Sequence, residues 1–198
     1  LSKTNTPSGV PAYNLGIALL QDSRSREAIE QLDKAGRLPA SDDAGLAIRD
    51  KSNLVLGTIL FESTDFERAR QSLDRVQLDG PFSNQALLSA GWADVSAQNY
   101  ERAVVPWSIL AKRELTDSAV QEALLALPYA YSKLNVHGRA AVLYGDALKS
   151  FGEELNKVDA SIKSIADGRF LKALAREEIQ QDQGWVIRLR TLPDAPET

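Results

Sequence analysis

The chain has 198 residues, 43% hydrophobic and 25% charged, enough apolar side chains for a substantial core as one elongated array or one and a half domains. Its formal net charge of −4 comes without a basic cluster, which argues against nucleic acid as a partner. Zero cysteines exclude disulfides, thiolate metal sites and cysteine nucleophiles, and no apolar run approaches the roughly 18 residues needed to span a bilayer.

In chain order, residues 1–9 are polar and read as a flexible segment that resembles neither a signal nor a transit peptide. The spacing of Leu15, Leu19, Ala28, Leu32 and Ala35 predicts a helix from about Val10 to Gln21 and a partner from about Arg26 to Gly36, separated by Asp22-Ser23-Arg24-Ser25. Leu38 to Asp43 breaks the pattern, with Ser41 or Asp42 as the cap of a longer helix through Phe61. After the turn Glu62-Ser63-Thr64-Asp65, a helix to about Val76 is stopped by Asp79-Gly80-Pro81. Ser83 is the expected cap of a helix over about Asn84 to Ala97. The next runs from about Tyr100 to Arg113, and Pro106 inside it predicts a bend near Arg102 to Val105. Ser118 and Gln121 have capping-box spacing, so a helix is expected from near Ala119 to Leu134-Asn135, bent at Pro128. Beyond it, Ala141, Tyr144, Leu148, Phe151, Leu155, Val158, Ile162 and Ile165 alternate steps of three and four. They form one stripe of a helix about 40 Å long, over roughly 140–166. Residues 167–198 are read as a short helix and a polar tail. Because the chain contains no methionine and both ends look like cuts, we expect it to be part of a longer protein, continuing into a further region.

One spacing ties these helices together. A glycine is followed twelve residues later by an alanine, four further by a bulky apolar residue and three further by a small or apolar one. The copies are Gly16-Ala28-Leu32-Ala35, Gly57-Ala69-Leu73-Val76, Gly91-Ala103-Trp107-Leu110 and a degenerate Pro128-Ala140-Tyr144-Ala147. They are offset by 41, 34 and 37 residues, a period near that of a two-helix unit that buries its apolar face by stacking. Where two helices cross closely, Gly or Ala lets the backbones approach and the bulky residue fills the space alongside.

At these residues the chain resembles the tetratricopeptide repeat family, in a divergent bacterial branch. Also in keeping are the apolar residues before each small one (Leu15, Leu56, Ala90, Leu127) and the prolines near two repeat ends (Pro39, Pro81). The resemblance covers residues 10–150 as repeats over about 10–40, 41–81, 82–115 and 116–150, the last overlapping the long helix. It departs from the family pattern in seven extra residues between the first two copies, in the acidic Asp94 where a bulky apolar residue is usual, and in Pro128. It implies an all-α protein, a right-handed superhelix of about three to four helix pairs with a long C-terminal capping helix, whose concave face binds peptides or proteins.

Carried over by position, the resemblance places Tyr13, Asn14, Ile17 and Gln21 of the first repeat on that face, with Lys51, Leu54, Thr58 and Glu62 of the second. The third supplies Gln85, Leu88, Ser89, Trp92 and Ser96, and the fourth Glu122, Leu125, Tyr129 and Lys133. This aromatic and polar mixture suits an extended peptide with apolar anchors. Plain inter-helix packing is the competing reading of Trp92 and Tyr129. Tyr13 and Ile17 stand where relatives that clamp chaperone tails carry cationic and amide groups, so that clamp is not implied.

No catalytic constellation, phosphate loop or nucleophile elbow is present in the sequence. His137 is a lone histidine in a turn-like segment, and Asp42-Asp43, Glu153-Glu154 and Glu177-Glu178 read as solvated faces. The expectation is a non-enzymatic scaffold that needs no cofactor or metal and binds a protein or peptide, with no nucleic acid and no membrane span. The alternatives are an accessory domain of a larger enzyme or assembly, and an oligomerisation module. For the last, Leu148, Phe151, Leu155, Val158 and Ile162 are the candidate seam of a homodimer, unless they pack down the flank of the array and under Phe170 to Ile179. The compartment stays open, with a bacterial periplasm favoured over the cytoplasm.

Overall fold

In a computed structural model, residues 9–169 are described. They form eight α-helices and no strand: α1 (Val10–Gln21), α2 (Ser25–Arg37), α3 (Asp43–Glu62), α4 (Phe66–Leu73), α5 (Ser83–Ser96), α6 (Tyr100–Leu110), α7 (Ser118–Lys133) and α8 (His137–Ala166). The chain divides inside α8 into two compact units, Leu1–Leu143 and Tyr144–Thr198. The expected terminal segments over 1–8 and from Phe170 onward, including Glu177-Glu178, lie outside the described residues.

Within the first unit the helices come as antiparallel hairpins whose turns are closed by one geometry. Ser23, Thr64, Gln98 and Asn135 each adopt φ near 60°, and each stands seven residues after the small residue of its repeat. The following amide donates to the carbonyl five residues back: Arg24 to Leu19, Asp65 to Leu60 and Asn99 to Asp94 at 2.8 Å, and Val136 to Tyr131 at 2.9 Å. These bonds satisfy carbonyls that the helix end leaves without partners. The fourth copy keeps the register although Pro128 replaces glycine.

The spaced residues meet as their steric logic requires. A Cβ on Gly16 would lie 2.8 Å from Leu32 Cγ, one on Gly57 2.6 Å from Leu73 Cγ, and one on Gly91 2.2 Å from Trp107 Nε1. Ala28, Ala69 and Ala103 are fully buried beside these crossings. In the fourth copy, by contrast, Tyr144 is 44% exposed.

Three apolar clusters run along this unit. One joins α5, α6 and α7 around Trp107, Leu110 and Val120. A second joins α2, α3 and α4 through Leu32, Leu56, Leu60 and Ala69, with Tyr13, Ile17 and Leu20 of α1 against it. The third sets Leu73 and Val76 on Ala86 and Ala90.

Several local expectations are corrected. The cap of α7 is Asp117, whose Oδ1 accepts from the Ala119 amide at 2.8 Å, whereas Gln121 donates to the Leu115 carbonyl instead of closing a capping box with Ser118. Ser83 is the first residue of α5 and its hydroxyl accepts from Arg113. Asp42 does cap α3, accepting from the Gly45 amide at 2.7 Å. α4 and α6 stop three residues short of Val76 and Arg113, since the segments after them turn away toward the next hairpin. Pro106 and Pro128 are both buried within helices that continue through them.

Candidate functional site

The odd-numbered helices lie side by side: α1 touches α3, α3 touches α5, and α5 touches α7. Each even-numbered helix from α2 to α6 packs between the odd helices that flank it in the chain. The exposed edges of α1, α3, α5 and α7 therefore form one continuous face, on which the residues anticipated from the repeat positions fall.

Side-chain pairs link neighbouring members of this face. Lys51 Nζ of α3 lies 5.6 Å from the centre of the Tyr13 ring of α1, and Lys133 Nζ lies 5.4 Å above the Tyr129 ring on α7. Each ammonium group is drawn to the electron-rich face of its ring, and both tyrosines are half-buried. Trp92 Nε1 of α5 donates to Glu122 Oε1 of α7 at 2.6 Å. The Trp92 ring meets Trp107 edge-on at 5.0 Å between centroids. Asn14, Gln21, Glu62 and Ser96 are exposed along the same face. Gln85 donates to the Ser89 hydroxyl at 3.5 Å, and Thr58 to the Leu54 carbonyl at 3.1 Å. Leu125 is 50% exposed between Glu122 and Tyr129. Lys51 and Lys133 offset Glu62 and Glu122, so the face is close to neutral.

Three anticipated residues do less on this face than position suggested. Leu88 is buried in the cluster around Trp107 and its carbonyl accepts the Trp107 indole proton at 3.2 Å. Ile17 and Leu54 are half-buried against the cores beneath. Trp92 serves both readings, because its ring packs on Trp107 while its indole edge reaches Glu122.

Two features go beyond the sequence reading, in which Asp94 is only an acidic departure from the repeat pattern. The first is a set of buried polar groups. Asp94 is 1% exposed, with Arg70 Nε 2.8 Å from its Oδ2 and Arg102 Nε 3.3 Å from its Oδ1. Burial pushes its carboxyl above the ordinary aspartate value, and Arg70 and Arg102 offset this only in part. Asn53 donates to the Gly36 carbonyl at 2.9 Å, Ser72 to the Asn53 carbonyl at 2.9 Å, and Asp50 Oδ2 accepts from both the amide and side chain of Gln77. These bonds tie α2, α4 and the segment after α4 to α3. They involve single residues separated by 17 to 27 positions, which leaves no periodic trace.

The second feature is an apolar groove of about 230 Å³ between α4, the loop after it and α6, floored by Ala86 and Ala90 and flanked by Leu78, Val105, Pro106 and Ile109. Val105 and Leu78 are 59% and 52% exposed.

His137 is exposed at the start of α8. Among the described residues no group of three or more His, Cys, Asp or Glu side chains could hold a metal ion, and no helix is long and apolar enough to cross a membrane. Together the fold and this face define an all-α protein of consecutive hairpins that presents an aromatic and polar surface. No family model and no curated protein matches the chain.

Proposed function

We propose that this chain is a non-enzymatic protein-interaction scaffold whose hairpins wind as a tetratricopeptide-like right-handed superhelix, with the face of α1, α3, α5 and α7 as the concave binding surface. The observation that carries the reading is the alignment of three aromatic side chains, Tyr13, Trp92 and Tyr129, with polar neighbours across four adjoining helices. Large, rigid rings with a polar edge supply binding energy at low entropic cost, and they do so best when clustered on a preformed surface. An extended peptide with apolar anchors and little net charge fits a face whose own charges cancel.

The test must spare the fold. Trp92→Ala would uncover Trp107, so the informative variants are at exposed Leu125 and half-buried Tyr129. Peptides selected from a display library on the wild-type chain are expected to carry apolar or aromatic anchors. They should lose at least tenfold in affinity on a Leu125→Asp, Tyr129→Ala double variant whose melting is unchanged. Selection of no peptide, or equal binding by both proteins, overturns the reading. Loss of binding with Val105→Asp and not with the double variant would move the docking site to the groove between α4 and α6.

A further inference from the structure

Among the described residues, α8 carries an apolar stripe that nothing covers. Leu148 is 77% exposed, Leu155 64%, Ile162 59%, Ile165 51%, Val158 45% and Tyr144 44%. With Ala141 and half-buried Phe151 they occupy every a and d position of a heptad pattern from 141 to 165, more than three heptads and about 36 Å of helix. A seam of that length is what a stable two-helix interface requires, and contiguous exposed apolar surface of this extent marks an association site.

A second observation is independent of the first. Gly138, Gly145 and Gly152 are spaced by seven, all at the e position on one edge of the seam. A Cβ on any of the three would meet nothing within 4 Å, whereas Cβ atoms on Gly16, Gly57 and Gly91 would collide with a neighbouring side chain. Glycine inside a helix weakens it. Among the described residues nothing packs around Gly145 or Gly152 to repay that weakness, but an external helix backbone approaching this edge would.

Charge selects the occupant and its direction. In α8, Arg139 and Lys149 against Asp146 give the half over 137–152 a charge of +1, and Lys157 and Lys163 against Glu153, Glu154 and Asp159 give the half over 153–166 a charge of −1. A second α8 running antiparallel sets +1 against −1 at both ends, and opposes the helix dipoles favourably. A parallel pair would place Glu154, at a g position, against the partner subunit's Asp159, at an e position, twice over, whereas the antiparallel pair brings like charges together once, Glu154 against the partner's Glu154 beside the axis, with Lys157 3.6 Å from Glu154 in the same helix. We propose that the chain forms a homodimer in which two α8 helices pair antiparallel about a two-fold axis near residue 153. This register overlaps the whole seam and sets Leu148 against the partner's Val158 and Phe151 against the partner's Leu155. The glycine edge lets the backbones close in around the axis.

Light scattering over a micromolar concentration series tests the assembly on the full 198-residue chain. The expected mass is twice the 21.6 kDa of one chain. Leu148→Glu with Leu155→Glu, both at exposed positions, should return it to one chain without loss of helicity. Gly152→Ala, which favours a lone helix, should weaken the dimer at least tenfold. Because the natural chain has no cysteine, single replacements report direction: Leu148→Cys mixed with Val158→Cys should form a disulfide-linked dimer, and Leu148→Cys alone should not. A monomer at every concentration, or a dimer that survives the double glutamate variant, overturns the proposal. Efficient cross-linking of Leu148→Cys with itself overturns the antiparallel arrangement.

Discussion

Asp94 shows how one residue can break a packing pattern and still be accommodated. The equivalent positions of the first two hairpins hold Leu19 and Leu60, both buried, and a carboxylate there must find cations in a site with almost no water. Arg70 and Arg102 supply them from the flanking helices α4 and α6, and Arg102 also reaches Glu67 at 2.9 Å. Removing one member of a buried pair strands the other, whereas asparagine keeps one oxygen that can still accept from Arg70. Asp94→Ala is therefore expected to cost about 2–4 kcal/mol, and Asp94→Asn less than about 1 kcal/mol at neutral pH, both by urea denaturation. The pH dependence has a definite sign. With its folded value raised above the ordinary 3.8, Asp94 holds its proton more tightly in the folded chain. Its contribution is fully present below pH 3.8 and lost as pH rises through the folded value. The stability of the wild type relative to Asp94→Asn should thus fall as pH rises through the acidic range. Asp33 works in the opposite direction. Burial is the largest single influence and raises it, but the hydrogen bonds and charges of Arg37 and Arg75 together hold it below 3.8, so its contribution is lost as pH falls through the lowered value. A difference between wild type and Asp94→Asn that grows with pH, or an asparagine variant as damaged as the alanine one, would refute this account of Asp94.

At the scale of the element, the crossing between the two helices of a hairpin decides how closely they pack. Gly91 faces the indole of Trp107, a fully buried and rigid group whose Nε1 also donates to the Leu88 carbonyl. Gly57 and Gly16 face leucines, which can change rotamer. Gly91→Ala is expected to destabilise by about 2–3 kcal/mol and Gly57→Ala by about 1–2 kcal/mol, the range for overpacking a tight core. Combining Gly91→Ala with Trp107→Leu should cost less than the sum of the two single changes, because the smaller partner yields the room that the new methyl needs. Additive costs would mean that the glycine serves something other than this contact. These crossings were legible in the sequence because glycine, alanine and a bulky residue recur at fixed spacing, and the positive-φ residue seven places after each small one follows the same register. Helix ends were less legible. Asp117 caps α7 where Ser118 offered the better motif, since a cap is chosen by where the incoming chain points and not by residue type alone. The Asn53, Ser72 and Asp50 contacts left no trace at all, because each pairs with a group 17 to 27 positions away that only the packing of α2, α4 and the segment after α4 on α3 brings near. The anticipated binding face was legible as helix positions, yet not in its couplings: the Trp92 to Glu122 bond depends on the lateral fit of α5 and α7.

At the scale of the whole molecule, the packing from α1 to α7 is local. Among the described residues each helix from α1 to α7 packs mainly on its sequence neighbours, and each odd helix also on the next odd helix. Stability in such an arrangement is close to a sum of hairpin terms and terms between adjacent hairpins. Among the described helices the hairpin of α1 and α2 has a neighbour on one side only, whereas the hairpin of α5 and α6 is flanked by α4 and by α7. Hydrogen exchange measured along the chain should accordingly show the slowest amides in α5 and in the buried turns of α3, and at least tenfold faster exchange in α1, through opening of the first hairpin alone. The steric change Gly16→Ala, which drives a methyl group against Leu32, should accelerate exchange in α1 and α2 and leave α5 and α6 unchanged. A molecule held by one indivisible core would respond otherwise, with Gly16→Ala accelerating the slowest amides of every helix by the same factor. Such uniform acceleration would rule out additive hairpins, and with them the repeat logic on which the binding face rests. Confinement of the effect to α1 and α2 would mean that the chain can lose its first hairpin while the face built on α3, α5 and α7 stays formed.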